Sequence, residues 1–279
     1  MVMKKHKRIR NSFVTYGILI IALIWTIFPI YWMIKSSVTV DNEMYVARPP
    51  LIAKHYTLQN YIELFTETDF GYAMLNSLQI ATITTICCLI ISIIGSYAMT
   101  RLRFPGRKFF KTSIIFSYLI PTAVLFVPMY VFVSKLGFYD NKYALLIIYP
   151  TTVVPYCCYM LMSYFKAIPY ALEEAALIDG CTRLKSLWHI IIPIALPGIA
   201  VVATFAFTMS WNEYLYAMIM TTSGKQQTAV VAISSFKYAD SAIWGRIMSA
   251  SVVTSLPVTI IYIIAQGQLI SGKSDGSVK

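Results

Sequence analysis

Charge is what this sequence has least of. Asp, Glu, Lys and Arg make up 13% of its 279 residues, against about 25% in an ordinary soluble domain, and that shortage excludes water as the main solvent. Histidine occurs three times, at His6, His55 and His189, and none of the three lies downstream of the Gly272–Gly276 motif near the C-terminus, so the His partner a nucleophile there would need is missing. The five cysteines stand as Cys87-Cys88, Cys157-Cys158 and Cys181. The two adjacent pairs lie inside apolar runs without a histidine at ligand spacing, so they read as small apolar fillers; neither a disulfide framework nor a metal site follows from them.

Acid is scarcer than base, with 12 Asp and Glu against 23 Lys and Arg and a net charge of +11. A basic surface is the footprint of nucleic-acid binding, but the placement of the charges excludes it. Fifteen of the basic residues fall in Lys4–Arg10, Arg101–Lys111, Lys166–Lys185 and the tail. The other eight, Lys35, Arg48, Lys54, Lys135, Lys142, Lys225, Lys237 and Arg246, alternate with them along the chain, and seven acids offset them. This is the asymmetry that orients a membrane protein, base on the cytoplasmic side.

What fills the chain instead is apolar: 58% hydrophobic residues and a mean hydropathy of +0.66. A bilayer crossing takes about 20 apolar residues, because 1.5 Å of rise per residue must cover roughly 30 Å of hydrocarbon. Charge-free runs of 24, 31, 23, 23 and 26 residues lie between Arg10 and Lys35, Asp69 and Arg101, Lys111 and Lys135, Lys142 and Lys166, and Arg246 and Lys273. A sixth run from Lys185 to Gly224 is interrupted only by Glu213. The expected fold is an all-α polytopic bundle of six transmembrane helices forming one domain over 1–279. Its spans fall near 14–35, 72–100, 112–134, 143–165, 191–219 and 247–270, with both termini cytoplasmic. The first run is too long for a secretory signal, whose apolar core is about 7–15 residues, and it stays as an anchor. Prolines inside the spans, Pro29, Pro121, Pro128, Pro150, Pro155, Pro193, Pro197 and Pro257, free backbone carbonyls that lipid cannot satisfy and so favour a packed bundle around a pathway.

The cytoplasmic loop 166–190 carries the most information. Pro169 opens a short helix and Gly180 stops it, and Leu172, Ala175, Ala176 and Asp179 recur at helical spacing. Leu184, Leu187, Trp188 and Ile191 repeat the pattern in a second short helix. A helix resting on anionic lipid would carry Lys and Arg on its polar face; this one carries Glu173, Glu174 and Asp179. Acid with small alanines opposite fits docking into a groove of a cytoplasmic protein.

These residues resemble a known family. Glu174-Ala175-Ala176, Asp179-Gly180, Pro193 and Pro197 are similar to the EAA loop of binding-protein-dependent ABC importer permeases. Thr57-Leu58-Gln59-Asn60-Tyr61, Asn76-Ser77-Leu78, Ser96-Tyr97-Ala98, Arg101-Leu102-Arg103-Phe104-Pro105-Gly106, Trp211-Asn212-Glu213 and Leu256-Pro257 extend the resemblance over nearly the whole chain and narrow it to the second, maltose/oligosaccharide-like permease of the carbohydrate importers. Cys181, Leu187 and the tail Gly272–Lys279 depart from the family pattern. The resemblance implies a type I importer permease fold in the cell's inner membrane. It also implies coupling to an ATPase through Glu173, Glu174, Ala175, Ala176, Asp179 and Gly180. The implied partners are a homologous second permease, two ATP-binding cassette subunits, an extracytoplasmic sugar-binding protein and the lipid bilayer, with no nucleic acid. ATP would be bound by the partner subunits, leaving this chain no cofactor and no catalytic residue.

Two motifs match on paper and fail in context. Gly267 to Ser274 satisfies the phosphate-loop pattern, and Gly272 to Gly276 the nucleophile elbow, but each needs a strand before it and a helix after it. Glu213, beside Trp211, Asn212 and Tyr214, is the one acid embedded in a span and should face the bundle interior. Two roles stay open for it: lining the route of a hydroxyl-rich solute together with those neighbours, or tying two helices together. A single embedded acid and no internal repeat argue against an ion-coupled carrier.

Overall fold

The computed structural model describes residues 2–236 and 244–274. Among them the chain is helical, apart from turns and one isolated bridge between Thr39 and Tyr56. In order the helices are α1 (Val2–Ser37), α2 (Asp41–Met44), α3 (Gln59–Thr66), α4 (Phe70–Arg101), α5 (Arg107–Leu119), α6 (Thr122–Lys135), α7 (Leu145–Ala167), α8 (Tyr170–Ile178), α9 (Arg183–Ser186), α10 (Ile192–Trp211), α11 (Leu215–Met220), α12 (Ala229–Ser235) and α13 (Trp244–Ser274). Five helices are long and apolar enough to cross a bilayer; a sixth crossing results if α5 and α6, which meet at a 99° bend, count as one. The chain is an all-α, multi-pass membrane protein.

Two of the crossings differ from the simple spans read in the sequence. The run 112–134 is broken at Ile120-Pro121, where the proline has no N–H to continue α5 and forces extended backbone on Ile120 (ψ 122°). The run 191–219 ends as a helix at Trp211 and resumes only at Leu215. At its other end α10 is preceded by a π-turn, Leu187–Ile191, in which the Ile192 N–H reaches back to the Leu187 carbonyl. Pro193, with no N–H of its own, cannot close the regular turn there.

The chain divides into two compact units. The first comprises residues 1–68 and 235–253, the second 69–234 and 254–279. In the first, Arg246 holds Glu63 and Glu67, each at 2.8 Å, and the Ser249 hydroxyl donates to the Ser37 carbonyl, tying α3 and the end of α1 to the start of α13. No residue in the apolar window of α1 is fully buried within the chain.

In the second unit α4, α7 and α10 pack around a core that includes Cys88, Cys157, Leu161, Phe165, Ile191, Ala195 and Val202. Lipid gives no hydrophobic drive for helices to associate, so small residues that allow close approach, and hydroxyls that bond across the contact, hold them together. Gly95 lies 3.5 Å from the Cys158 sulfur, measured from where a Cβ would stand, and the Ser96 hydroxyl donates to the Cys158 carbonyl at 3.1 Å. At Gly198 of α10 a Cβ would fall 2.5 Å from the ring of Tyr164 in α7. A second core joins α6, α7 and α11 around Ile148, Tyr149 and Tyr216.

Candidate functional site

Helix α8 starts at Pro169 and ends in a left-handed glycine. Gly180 has φ +83°, its N–H bonds the Leu177 carbonyl at 3.2 Å, and the Cys181 N–H bonds the Ala176 carbonyl at 2.9 Å. This paired closure is the Schellman arrangement, which glycine adopts without Cβ strain. Thr182 then caps α9 by accepting the Lys185 N–H, so α8 and α9 form a short hairpin between α7 and α10.

One side of α8 is anchored inside the protein. Glu173 is 4% exposed, and its carboxylate accepts the Tyr97 hydroxyl at 2.5 Å. The Arg101 guanidinium stands 3.7 Å from the same carboxylate, with both side chains buried. Arg101 also donates to the carbonyls of Phe165 and Ile168, at 2.6 and 2.7 Å, where α7 ends. Carbonyls there have no partner within their helix. The Tyr170 ring covers the guanidinium at 4.2 Å, and its hydroxyl donates to the Thr100 carbonyl at 2.7 Å. The end of α4, the end of α7 and the start of α8 are thus clamped on one buried ion pair. Beside the clamp lies a cavity of about 650 Å³, walled by Leu102, Phe104, Glu174, Leu177 and Arg183 among others.

The other side of α8 is open. Leu172, Glu174, Ala175, Ile178 and Asp179 are exposed, Ile178 to 86%. Leu184 and Trp188 continue the surface at 63% and 56%. The sequence pattern grouped Ala176 with Leu172, Ala175 and Asp179. The structure instead turns Ala176 inward beside Glu173, because the hydrogen-bonding grip on Glu173 fixes which arc of α8 meets the bundle. The stripe Leu184, Leu187, Trp188 and Ile191 is split for a similar reason. The wider π-turn buries Leu187 and Ile191 and leaves Leu184 and Trp188 outside.

Trp211, Asn212, Glu213 and Tyr214 come together at the break between α10 and α11. Trp211 is 1% exposed and stacks on Phe207 with ring centroids 5.5 Å apart. Glu213 lies in the break rather than inside a helix, and its two oxygens accept the N–H groups of Tyr216 and Ala217 at 3.0 and 3.1 Å. It satisfies donors that the first turn of α11 leaves free. Asn212 is exposed and Tyr214 half-buried. No group of three or more His, Cys, Asp or Glu is placed to hold a metal ion among the described residues. Gly272, Lys273 and Ser274 continue α13 as helix, which is not the loop a phosphate cradle needs; Asp275–Lys279 lie outside the described residues.

Sequence reasoning missed Arg101, Tyr97 and Tyr170 as parts of this site. Their signal was present: Arg101 ends a 31-residue run without charge, and a helix docking by alanines had no evident need of two adjacent glutamates.

Comparison with known proteins identifies the family and the fold. Residues 91–272 match the family model described as binding-protein-dependent transport system inner membrane component. The inner membrane ABC transporter permease protein YcjP of Escherichia coli is 34% identical, with 99% of this chain and 100% of the relative covered. The trehalose/maltose transport system permease protein MalG of Thermococcus litoralis is 31% identical over 94% of this chain and 95% of its own. Among solved structures, a bacterial ABC transporter involved in the import of the acidic polysaccharide alginate has the same fold. Its TM-score is 0.79 at 21% identity, over 92% of this chain and 95% of that one. A family match over most of the sequence and end-to-end relatives together place the chain: it belongs to the inner membrane components of binding-protein-dependent transport systems, the ABC importer permeases.

Proposed function

We propose that the chain is the carbohydrate-conducting permease of an ATP-driven importer and that the exposed face of α8 is where a separate ATPase grips it. The observation that carries the coupling is the two-sidedness of α8. Glu173, Ala176 and the Gly180 stop fix it to the bundle, while Glu174, Ala175, Ile178 and Asp179 face outward. A solvent-facing Ile beside acids at the end of a short rigid hairpin suits a protein groove, since contiguous exposed apolar surface marks an interaction site. Force applied to α8 would pass through Tyr97 and Arg101 into α4 and α7.

In this reading the chain works as one transmembrane domain with both termini in the cytoplasm. It pairs with a homologous permease and with two ATPase subunits that bind the ATP, and it receives solute from an extracytoplasmic binding protein. Carbohydrate is favoured because the trehalose/maltose and sulfoquinovosyl glycerol permeases are about equally related to it, at 31% and 30% identity. Asn212 and Tyr214, the members of the 211–214 cluster that keep exposed surface, are assigned to the solute route, and Glu213 holds the break open as the cap of α11.

The test is uptake by the reconstituted complex. Proteoliposomes holding the complete transporter, with the binding protein and a labelled disaccharide outside, should accumulate the sugar only when ATP is enclosed in the lumen on the side of the ATPase subunits. Accumulation driven by a proton gradient without ATP would overturn the importer reading. ATP-driven uptake of a polyol or glycerol phosphate in place of any sugar would overturn the carbohydrate assignment alone.

A further inference from the structure

The clamp on α8 has a counterpart at the opposite ends of the same two helices. α4 and α7 grip α8 where one ends at Arg101 and the other at Ala167. At the start of α4 and just before α7, other side chains grip the segment 220–229. That segment joins α11 to α12 and has a single short turn of its own, Gly224–Gln226. Backbone groups in such a segment need partners from elsewhere, and here α4 and the turn leading into α7 supply them.

Asn76 of α4 is at the centre of this grip and is buried. Its amide nitrogen donates to the carbonyls of Lys225 and Gln227, each at 2.9 Å, and its amide oxygen accepts the Lys142 ammonium at 2.8 Å. The Ser77 hydroxyl beside it accepts the Ala229 N–H at 2.8 Å. From the side of α7, the Asp140 carboxylate accepts the N–H groups of Thr222 and Ser223, both at 2.9 Å, and the Asn141 N–H donates to the Met220 carbonyl at 3.0 Å. The segment also presses on the start of α4, since a Cβ at Gly224 would fall 2.6 Å from the Asp69 carboxylate. All of these residues belong to the second unit.

An amide side chain offers two donors and an acceptor in one plane, and Asn76 uses all three to join α4, the turn before α7 and the segment 220–229. Aspartate has the same shape but would set a carboxylate against two carbonyls, and leucine would leave both carbonyls without their donor, a costly state for buried polar groups. Asn76 and Arg101 stand 25 residues apart on α4, about 38 Å by helical rise, and between them Ser92 and Ser96 bond across to α7. We propose that Asn76 is a positioning residue: it makes 220–229 move as one body with α4 and α7, so that displacing α8 at one end of these helices displaces 220–229 at the other. The inference rests on the reading of α8 as the seat of the ATPase. By reciprocity, a load on 220–229 biases α8 as much as a load on α8 biases 220–229.

The experiment measures uptake and ATP hydrolysis by the complete reconstituted transporter with its binding protein. Asn76→Leu and the isosteric Asn76→Asp should keep the ATPase bound and its basal hydrolysis at the wild-type rate. They should import roughly tenfold less solute per ATP, within the range by which residues linking two sites change their coupling. Hydrogen exchange on the wild-type complex is a readout that needs no variant to fold: the amides of Thr222, Ser223 and Ala229 should be equally protected with and without ATP, because the grip moves as one body. Loss of that protection on adding ATP would overturn the proposal, as would wild-type uptake per ATP in both Asn76 variants. Loss of the ATPase from both variants would overturn it too, by showing general damage in place of lost coupling. Glu174→Lys, run alongside, separates this proposal from the one it rests on. ATPase retained by Glu174→Lys refutes the seat on α8, whereas ATPase lost from Glu174→Lys with fully coupled uptake in the Asn76 variants refutes the grip alone.

Discussion

At the scale of single residues, Arg101 sets the terms. Its guanidinium is sealed by Tyr170, bonded to two carbonyls and opposed by Glu173 at a distance that is electrostatic rather than hydrogen-bonding. Removing one partner of a buried pair leaves the other charge stranded, at a cost of about 3–5 kcal/mol, whereas replacing both with apolar side chains of similar size is often neutral. Arg101→Met is therefore expected to destabilise the complex strongly in a thermal unfolding scan, and Arg101→Met with Glu173→Met to recover most of the loss. Equal damage in the single and double variants would show that the pair is not coupled. Asp140 offers a second test. The Ser223 hydroxyl and amide, with the Thr222 amide, hold its carboxylate and keep its pKa below the usual aspartate value. A depressed pKa contributes stability that is present above the unfolded value, about 3.9, and is lost as pH falls through the lower folded value. Hydrogen exchange at the Thr222 and Ser223 amides should accordingly stay slow at pH 5 and rise only in stronger acid. In Asp140→Asn the acid step should vanish.

At the scale of elements, the contact of α7 with α10 depends on the missing side chain at Gly198. A Cβ 2.5 Å from the Tyr164 ring requires the ring or the helix to move, and such overpacking typically costs about 1–3 kcal/mol. Gly198→Ala should lower the unfolding temperature of the complex, and pairing it with Tyr164→Ala should relieve the strain. The elements also show what the sequence made legible. Long charge-free runs located the crossings because lipid tolerates little else, and Pro169 and Gly180 located α8 because their backbone restrictions are local. Which side of α8 turns inward was not legible, since Ala175 and Ala176 are equivalent as letters. The choice is made by Glu173 accepting the Tyr97 hydroxyl and pairing electrostatically with Arg101, which stand 76 and 72 residues earlier in the chain. The break after Trp211 was hidden for the same kind of reason: Glu213 reads as an acid within a span until its bonds to Tyr216 and Ala217 show it capping the next helix.

At the scale of the whole molecule, the proposed coupling uses the second unit as a lever. α4 and α7 are joined along their length by Ser92, Gly95, Ser96, Val154 and Cys158 and at one end by the clamp on α8. Displacing α8 as a rigid body therefore moves both helices. The departures of Cys181 and Leu187 from the family pattern do not disturb this, because Cys181 contributes its backbone N–H to the helix stop and Leu187 fills the core. The claim on which the account turns is that the outward face of α8 is the seat of the ATPase, and it is tested most directly by copurification. The transporter carrying Glu174→Lys, solubilised from membranes in which it has inserted at the wild-type level, should bring down at least about tenfold less ATPase, the loss expected from reversing one interfacial charge at about 1.4 kcal/mol. ATPase bound at the wild-type level, with uptake unaltered, would contradict it.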